Sequence, residues 1–231
     1  MAGGKVIGLA NRQAVGKWKT YMLEDIINQR RLRLDVSIFE NVMRSGSVAD
    51  RMALTRQLCD LLNDPHSGTE ECQQVMPIVT KLACDSDRHI RDIIVSRLLK
   101  TAGLSADLVF SIVADEDDIA IPFIGLNPSL DDPIMKAILA VGDLKRCKAV
   151  ASRPDLGAES VRKIMKDGSE DVVLALLGNA KVRLGAGYCR KIYNRFHGSP
   201  KVCDILMDLP HLPCEIALVH NQRTAEEMRK K

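Results

Sequence analysis

The sequence predicts an all-α fold, a right-handed α-solenoid of helical hairpins, on three observations. The first is a period. Leu104, Leu130, Leu156, Leu184 and Leu212 follow one another at spacings of 26, 26, 28 and 28 residues. The second is what comes four, eight and nine residues after each leucine: Leu108, Ile112 and Val113, then Ile134, Ile138 and Leu139, then Ser160, Ile164 and Met165, then Tyr188, Ile192 and Tyr193. That spacing gathers side chains on one face of an α-helix, whereas a half-buried strand needs alternation. The third is an earlier stripe. Leu98, Ile124, Val150 and Leu206 stand six residues before their leucines, and Ile94, Ala120, Arg146 and Val202 stand ten before. The fourth repeat joins this pattern when its first helix is moved back by two residues, onto Leu176 and Val172.

Each repeat therefore reads helix, turn, helix. Within a repeat the helices are separated at Asn127-Pro128, Arg153-Pro154, Asn179-Ala180 and Leu209-Pro210. Proline stops a helix because it lacks the N–H and its ring collides with the preceding turn. Between repeats the breaks fall at residues 115–118, 142–143, 167–169 and 198–200. Asp132-Pro133 and Ser199-Pro200 read as N-caps followed by a proline at the first helical position. One such hairpin cannot bury its apolar face alone, and stacking gives a continuous core. The last set, Ile216, His220 and Asn221, turns polar, as the terminal member of a stack requires.

Upstream, residues 35–44, 48–63 and 69–83 read as further helices, separated by the turn Asn63-Asp64-Pro65-His66-Ser67-Gly68. Pro77 is expected to kink or end the third of these. They resemble the later repeats in outline but not in period. Residues 1–34 carry seven bases against two acids. A helix over residues 11–31 would align Val15, Trp18, Met22 and Ile26, with Trp18 as a packing anchor that caps the first repeat. The expected organisation is a basic N-terminal segment with a capping helix at 1–34, divergent repeats at 35–85, regular repeats at 86–220 and a charged tail at 221–231.

Composition narrows the class. One Trp, three Tyr and four Phe leave the core to Leu, Ile, Val, Ala and Met. Seven cysteines without C-x-x-C spacing read as reduced, mostly buried thiols of a cytoplasmic protein. No apolar run reaches membrane-spanning length, and residues 1–9 lack the apolar core of a signal peptide.

The phrases His89-Ile90-Arg91-Asp92-Ile93-Ile94-Val95-Ser96, Val150-Ala151-Ser152-Arg153-Pro154-Asp155-Leu156 and Leu177-Gly178-Asn179-Ala180 resemble HEAT-like and leucine-rich-variant repeats. As a whole, residues 86–220 resemble an alphaproteobacterial helical-repeat domain of unknown function. The resemblance implies a stack of HEAT-like hairpins and brings no reaction with it. It also implies a further C-terminal helical region in longer members, whereas this sequence stops at Lys231 after its charged tail.

Charge is the most informative functional feature. Residues 105–143 hold eight acids and one base, and residues 144–201 hold thirteen bases and five acids. Complementary fields of this kind steer a charged partner, or a second copy of the same chain. The candidate partner-binding residues are the acids Asp115, Glu116, Asp117 and Asp118 and the bases Lys145, Arg146, Lys148, Lys163 and Lys166.

Other chemistries find no support. The spacing of His211 and Cys214 is tolerable for zinc, but Cys203, His211, Cys214 and His220 together match no strong zinc pattern. Gly185-Ala186-Gly187 lacks the preceding strand and the Gly-Lys-Ser/Thr ending of a phosphate loop, and Asp115–Asp118 lacks the alternation and glycine of a calcium loop. That acidic run reads instead as an N-cap cluster for a helix opening at Ile119. None of the five histidines is placed by the sequence beside a nucleophile. No catalytic residue, cofactor or metal ligand is assigned. The expected function is a non-enzymatic scaffold or adaptor whose partner is another protein, with no membrane role. The alternative is a nucleic-acid-binding HEAT-like protein, with an enzyme of DNA repair as its sharpest form, that uses the basic distal half, where Arg183, Arg190, Lys191 and Arg195 would contact phosphates.

Overall fold

The structure is a computed structural model that describes residues 36–229. The expected capping helix at 11–31 and its Trp18 lie outside the described residues. The described residues form thirteen α-helices and no strand, so the protein is all-helical there. The chain divides into two compact units, Met1–Gly46 and Ser47–Lys231. The described part of the first holds one helix, α1 (Val36–Ser45), on which Phe39, Val42 and Met43 are half-buried.

The second unit holds α2 (Val48–Asn63), α3 (Thr69–Leu82), α4 (Arg88–Leu98), α5 (Ala106–Val113), α6 (Asp117–Leu126), α7 (Asp132–Val141), α8 (Leu144–Ala151), α9 (Ala158–Asp167), α10 (Glu170–Leu177), α11 (Ala186–Phe196), α12 (Pro200–Met207) and α13 (Cys214–Arg229). Their starts are locally encoded. Side-chain oxygens of Ser105, Asp131, Asp143 and Ser199 accept the backbone N–H three residues on, each satisfying an orphan donor of a first turn. Ser47 and Asp50 cap each other reciprocally at the start of α2.

Even-numbered helices pack in succession, α2 on α4, α4 on α6, α6 on α8, α8 on α10 and α10 on α12. Among the odd-numbered helices α3 packs on α5, α7 on α9 and α9 on α11. From α3 to α11 each odd helix also packs on the even helix that follows it. The core lies between the two series and occupies the positions the periodicity picks out. Leu98, Ile124, Val150, Leu176 and Leu206 are buried, as are Ile112, Ile138, Ile164 and Ile192. Each such side chain contributes roughly 1.5–3 kcal/mol by leaving water. Of the five period-marking leucines, which all precede helices, Leu104 and Leu130 are buried and Leu156, Leu184 and Leu212 are half-buried.

A polar ladder runs through the turns inside the hairpins. Asn127 Nδ2 donates to the backbone oxygens of Leu98 and Thr101 at 2.7 and 3.2 Å. Arg153, 2 % exposed, donates to the oxygens of Ile124 and Asn127, and Asp155 holds its other edge through two hydrogen bonds. Asn179 Nδ2 donates to Ala151 O and Arg153 O at 3.0 and 2.7 Å. Each residue thus satisfies carbonyls at the C-terminal end of the previous even helix, groups a helix leaves unpaired.

Three local expectations need correction. The helix expected at Ile119 begins at Asp117 with Glu116 as N-cap and no side-chain cap bond, so Asp117 and Asp118 belong to the first turn. Asp131, not Asp132, is the N-cap of α7. Asp132 instead accepts the N–H groups of Glu159 and Ser160 at 2.9 and 2.8 Å, capping α9 of the next hairpin. Of the two outcomes expected at Pro77, a kink or an end, the end does not occur, since α3 continues to Leu82. The carbonyl it deprives of a partner belongs to exposed Gln73, where water can reach it.

Candidate functional site

The acidic turn between α5 and α6 is built as a junction of three hairpins. From α4, Arg91 Nε donates to Asp115 at 2.7 Å and its Nη2 to Glu116 at 3.0 Å. Arg88 Nη1 donates to the other oxygen of Glu116 at 3.1 Å, and Nη2 to Asp118. From α8, Lys145 Nζ reaches Asp117 at 2.6 Å and Arg146 Nη1 reaches its second oxygen at 3.0 Å. Arg146 also donates to Val113 O and Asp115 O at 3.0 and 2.6 Å. It occupies a position that other repeats fill with apolar residues, and its stem covers the core while its head satisfies these carbonyls.

The charges respond accordingly. The hydrogen bond from Lys145 holds the Asp117 carboxyl below the usual range, and that from Arg88 does the same for Asp118. Asp118 and Asp117 in turn raise Arg88 and Lys145. Most of these groups are exposed, where ion pairs contribute little. The exception is Arg91 with Asp115, whose side chains are 14 % and 9 % exposed. Arg51 with Asp85 repeats that arrangement one hairpin earlier.

Six of the nine candidate partner-binding residues thus gather at this junction: Asp117 with Lys145 and Arg146, and Asp115, Glu116 and Asp118 with Arg88 and Arg91. The other three stand apart. Lys163 pairs with Asp167 of its own helix at 2.7 Å. Lys148 and Lys166 are exposed and make no ion pair among the described residues. Arg88 and Arg91 are the residues that charge counting over 105–201 missed. Their signal was a pair of bases one repeat ahead of the acidic turn.

Uncovered apolar surface lies elsewhere. From α3 to α11, α5 and α7 are the one pair of consecutive odd helices that do not pack closely. Between them runs a groove of about 530 Å³ lined by Phe110, Val113, Ala114, Ala137, Ile138 and Val141, with Asp143 and Arg146 at its edge. Phe110 is 42 % exposed and Val141 82 %. By contrast the outer sides of α2, α4 and α8 present Arg56, Asp60, His89, Asp92, Arg97, Lys145 and Lys148, a mixed-charge solvated face. A second cleft, of about 360 Å³, opens between the turn preceding α11 and the turn preceding α13.

Among the described residues no group of three or more His, Cys, Asp or Glu side chains is placed to hold a metal ion. No described helix is long and apolar enough to cross a membrane. Cys59, Cys147, Cys189 and Cys203 are buried, Cys72 is half-buried, and Cys84 and Cys214 are exposed.

Residues 119–231, a little under half of the chain, match the model of a family described as an uncharacterised protein conserved in bacteria (DUF2336). This is similarity to a bacterial domain of unknown function, and it begins within α6. No curated protein and no solved structure matches the chain.

Proposed function

We propose that the chain is a cytoplasmic, non-enzymatic protein-interaction module: a right-handed α-solenoid of HEAT-like hairpins, akin to alphaproteobacterial repeat domains, that seats the apolar face of a partner helix between α5 and α7. The observation that carries this reading is the groove itself. Phe110 and Val141 stand open beside a cleft of about 530 Å³, and Val141 is the most exposed large apolar side chain among the described residues. An amphipathic helix docks in such a groove through a few apolar anchors. The charged junction supports the reading by what it does not offer. Its acids are matched by Arg88, Arg91, Lys145 and Arg146, which leaves apolar area as the main source of affinity.

Nucleic-acid binding through the basic half has one observation in its favour, the absence of any acid from residues 172–203. Against it, Tyr193 is buried and Tyr188 and Phe196 are half-buried, which withholds the stacking platforms single-stranded binding uses. The test is photo-crosslinking with a benzoylphenylalanine in place of exposed Ala137 in the groove, and a control at exposed Gln74 on α3. A discrete protein adduct from position 137 and none from position 74 supports the reading. Equal background from both positions overturns it.

A further inference from the structure

The change of period from 26 to 28 residues has a physical location. The turn between α10 and α11 spans eight residues, 178–185, against five for 127–131 and six for 152–157. The added length carries Lys181, Val182 and Arg183 outward and opens the cleft of about 360 Å³ against the turn 208–213. Leu177, Val182, Leu184, Leu209 and Pro210 make its lining apolar, while Arg183 and His211 are exposed within it.

Both walls are held in place. Asn179 donates to Ala151 O and Arg153 O on one side, and its own oxygens accept from Lys181 N and Val182 N at 3.1 Å each. The second wall is closed by Leu209 N to Leu206 O at 3.3 Å and Leu212 N to Leu209 O at 3.1 Å. The cleft is therefore preformed, as binding sites tend to be. Its first wall is one-sided in charge: residues 172–203 hold six bases and no acid, and Arg183 has no ion-pair partner among the described residues, while the second wall begins at Asp208.

We infer that this cleft is a binding site for an acidic peptide segment of a partner protein, one that places a leucine-sized side chain among Leu177, Leu184 and Leu209 and a carboxylate on Arg183 with His211 as a further hydrogen-bond donor. The inference rests on the chain being a protein-interaction module and adds a second contact of defined chemistry. Charge complementarity selects the acidic partner, and the aliphatic lining selects a peptide. A nucleic acid would meet no Phe, Tyr or Trp ring there, and a bare anion would leave the apolar walls wet.

The test uses the full chain and fluorescence polarisation of a labelled eight-residue peptide alternating glutamate and leucine. The same peptide with lysine for glutamate, an all-glutamate peptide and a single-stranded oligonucleotide are the comparisons. The glutamate–leucine peptide binds best. Arg183→Glu weakens it at least about tenfold, in the range expected for losing and reversing an interfacial charge. Ala180→Trp, which fills the cleft from an exposed position, abolishes it. Both variants keep the melting temperature of the parent. No binding by the parent chain, an affinity that Arg183→Glu leaves unchanged, or preference for the all-glutamate peptide or the oligonucleotide overturns the inference. Crosslinking at position 137 is scored on the same preparation. If it persists while the peptide does not bind, this inference alone fails, and if neither is seen the interaction reading fails with it.

Discussion

Arg153 and Asn127 stand 26 residues apart and are joined by a hydrogen bond, the arginine Nη2 donating to the asparagine backbone oxygen at 3.0 Å. The bond ties the turn of one hairpin to the turn before it, and Asn179 extends the tie to Arg153 O at 2.7 Å. Arg153→Met keeps the apolar stem but removes the side-chain donor of the Ile124 carbonyl and leaves that of Asn127 only the long bond from Leu130 N, at 3.5 Å. It is expected to cost about 2–4 kcal/mol, the range for buried groups left unpaired. Urea denaturation of parent and variant measures it. A loss below about 1 kcal/mol, the size of an ordinary surface hydrogen bond, would mean the ladder carries no special load.

A second tie between hairpins depends on the absence of a side chain. Asp132 caps α9 from α7, and a Cβ at Gly157 would collide with the Asp132 carboxyl. Burial pushes that carboxyl up, but the hydrogen bonds from Ser160 and from the N–H groups of Glu159 and Ser160 outweigh it and hold it below the usual range. Gly157→Ala is expected to cost about 1–2 kcal/mol, the worth of a helix cap, although its backbone angles suit any residue. Asp132→Ala should cost a similar amount, and the double variant should lose less than the sum. Full additivity in the thermodynamic cycle would show the two positions to be independent.

The core was legible in the sequence because periodicity is a direct image of burial. Leu98, Ile112, Ile124, Ile138 and Ile164 were placed inside by spacing alone, and all are buried. The polar ties were not legible. Asn127, Arg153 and Asn179 read as helix breakers, since a sequence shows that a helix ends but not whose carbonyls need a donor. Asp132 was misread because Asp131 and Asp132 both suit an N-cap, and only packing against α9 separates their tasks. The charge blocks were counted correctly, yet their use was hidden. Arg88 and Arg91, outside the counted window, claim three of the four acids of that turn. The α5–α7 groove left no trace in the pattern, because a gap between helices is a missing contact rather than a residue type.

The thiols give a prediction in pH. Burial pushes Cys59 up to about 12 and raises Cys147, Cys189 and Cys203. In the unfolded chain a thiol ionises near pH ~8.5. The folded chain therefore retains protons that the unfolded chain releases. The stabilisation is complete below about pH 8.5 and is lost as pH rises toward 12. For Cys59 the loss at pH 10 is about 1–2 kcal/mol, and Cys59→Ala, though less stable at neutral pH, should show a flatter decline from pH 8 to 10. In parallel, a thiol reagent should modify Cys84 and Cys214 first in the native protein and seven cysteines after denaturation. Fast reaction at Cys59 would contradict its burial.

Reversing Lys163 and Lys166 to Glu separates steering from stability. Lys163 loses an exposed pair with Asp167, and Lys166 loses none, so the melting temperature should stay nearly that of the parent. Association with an acidic partner should slow at low ionic strength and recover as salt screens the field. An unchanged association rate at low salt would make this basic block a solvated face and nothing more.

The claim on which the account turns is that the groove between α5 and α7 seats a protein. The most direct measurement is the affinity of the partner captured at position 137 for the parent chain and for Val141→Glu, by calorimetry at two salt concentrations. Val141 is 82 % exposed, so the variant should fold and melt as the parent does. Burying the new carboxylate is expected to weaken binding at least about tenfold at both salt concentrations. Equal affinity for the two chains would contradict it.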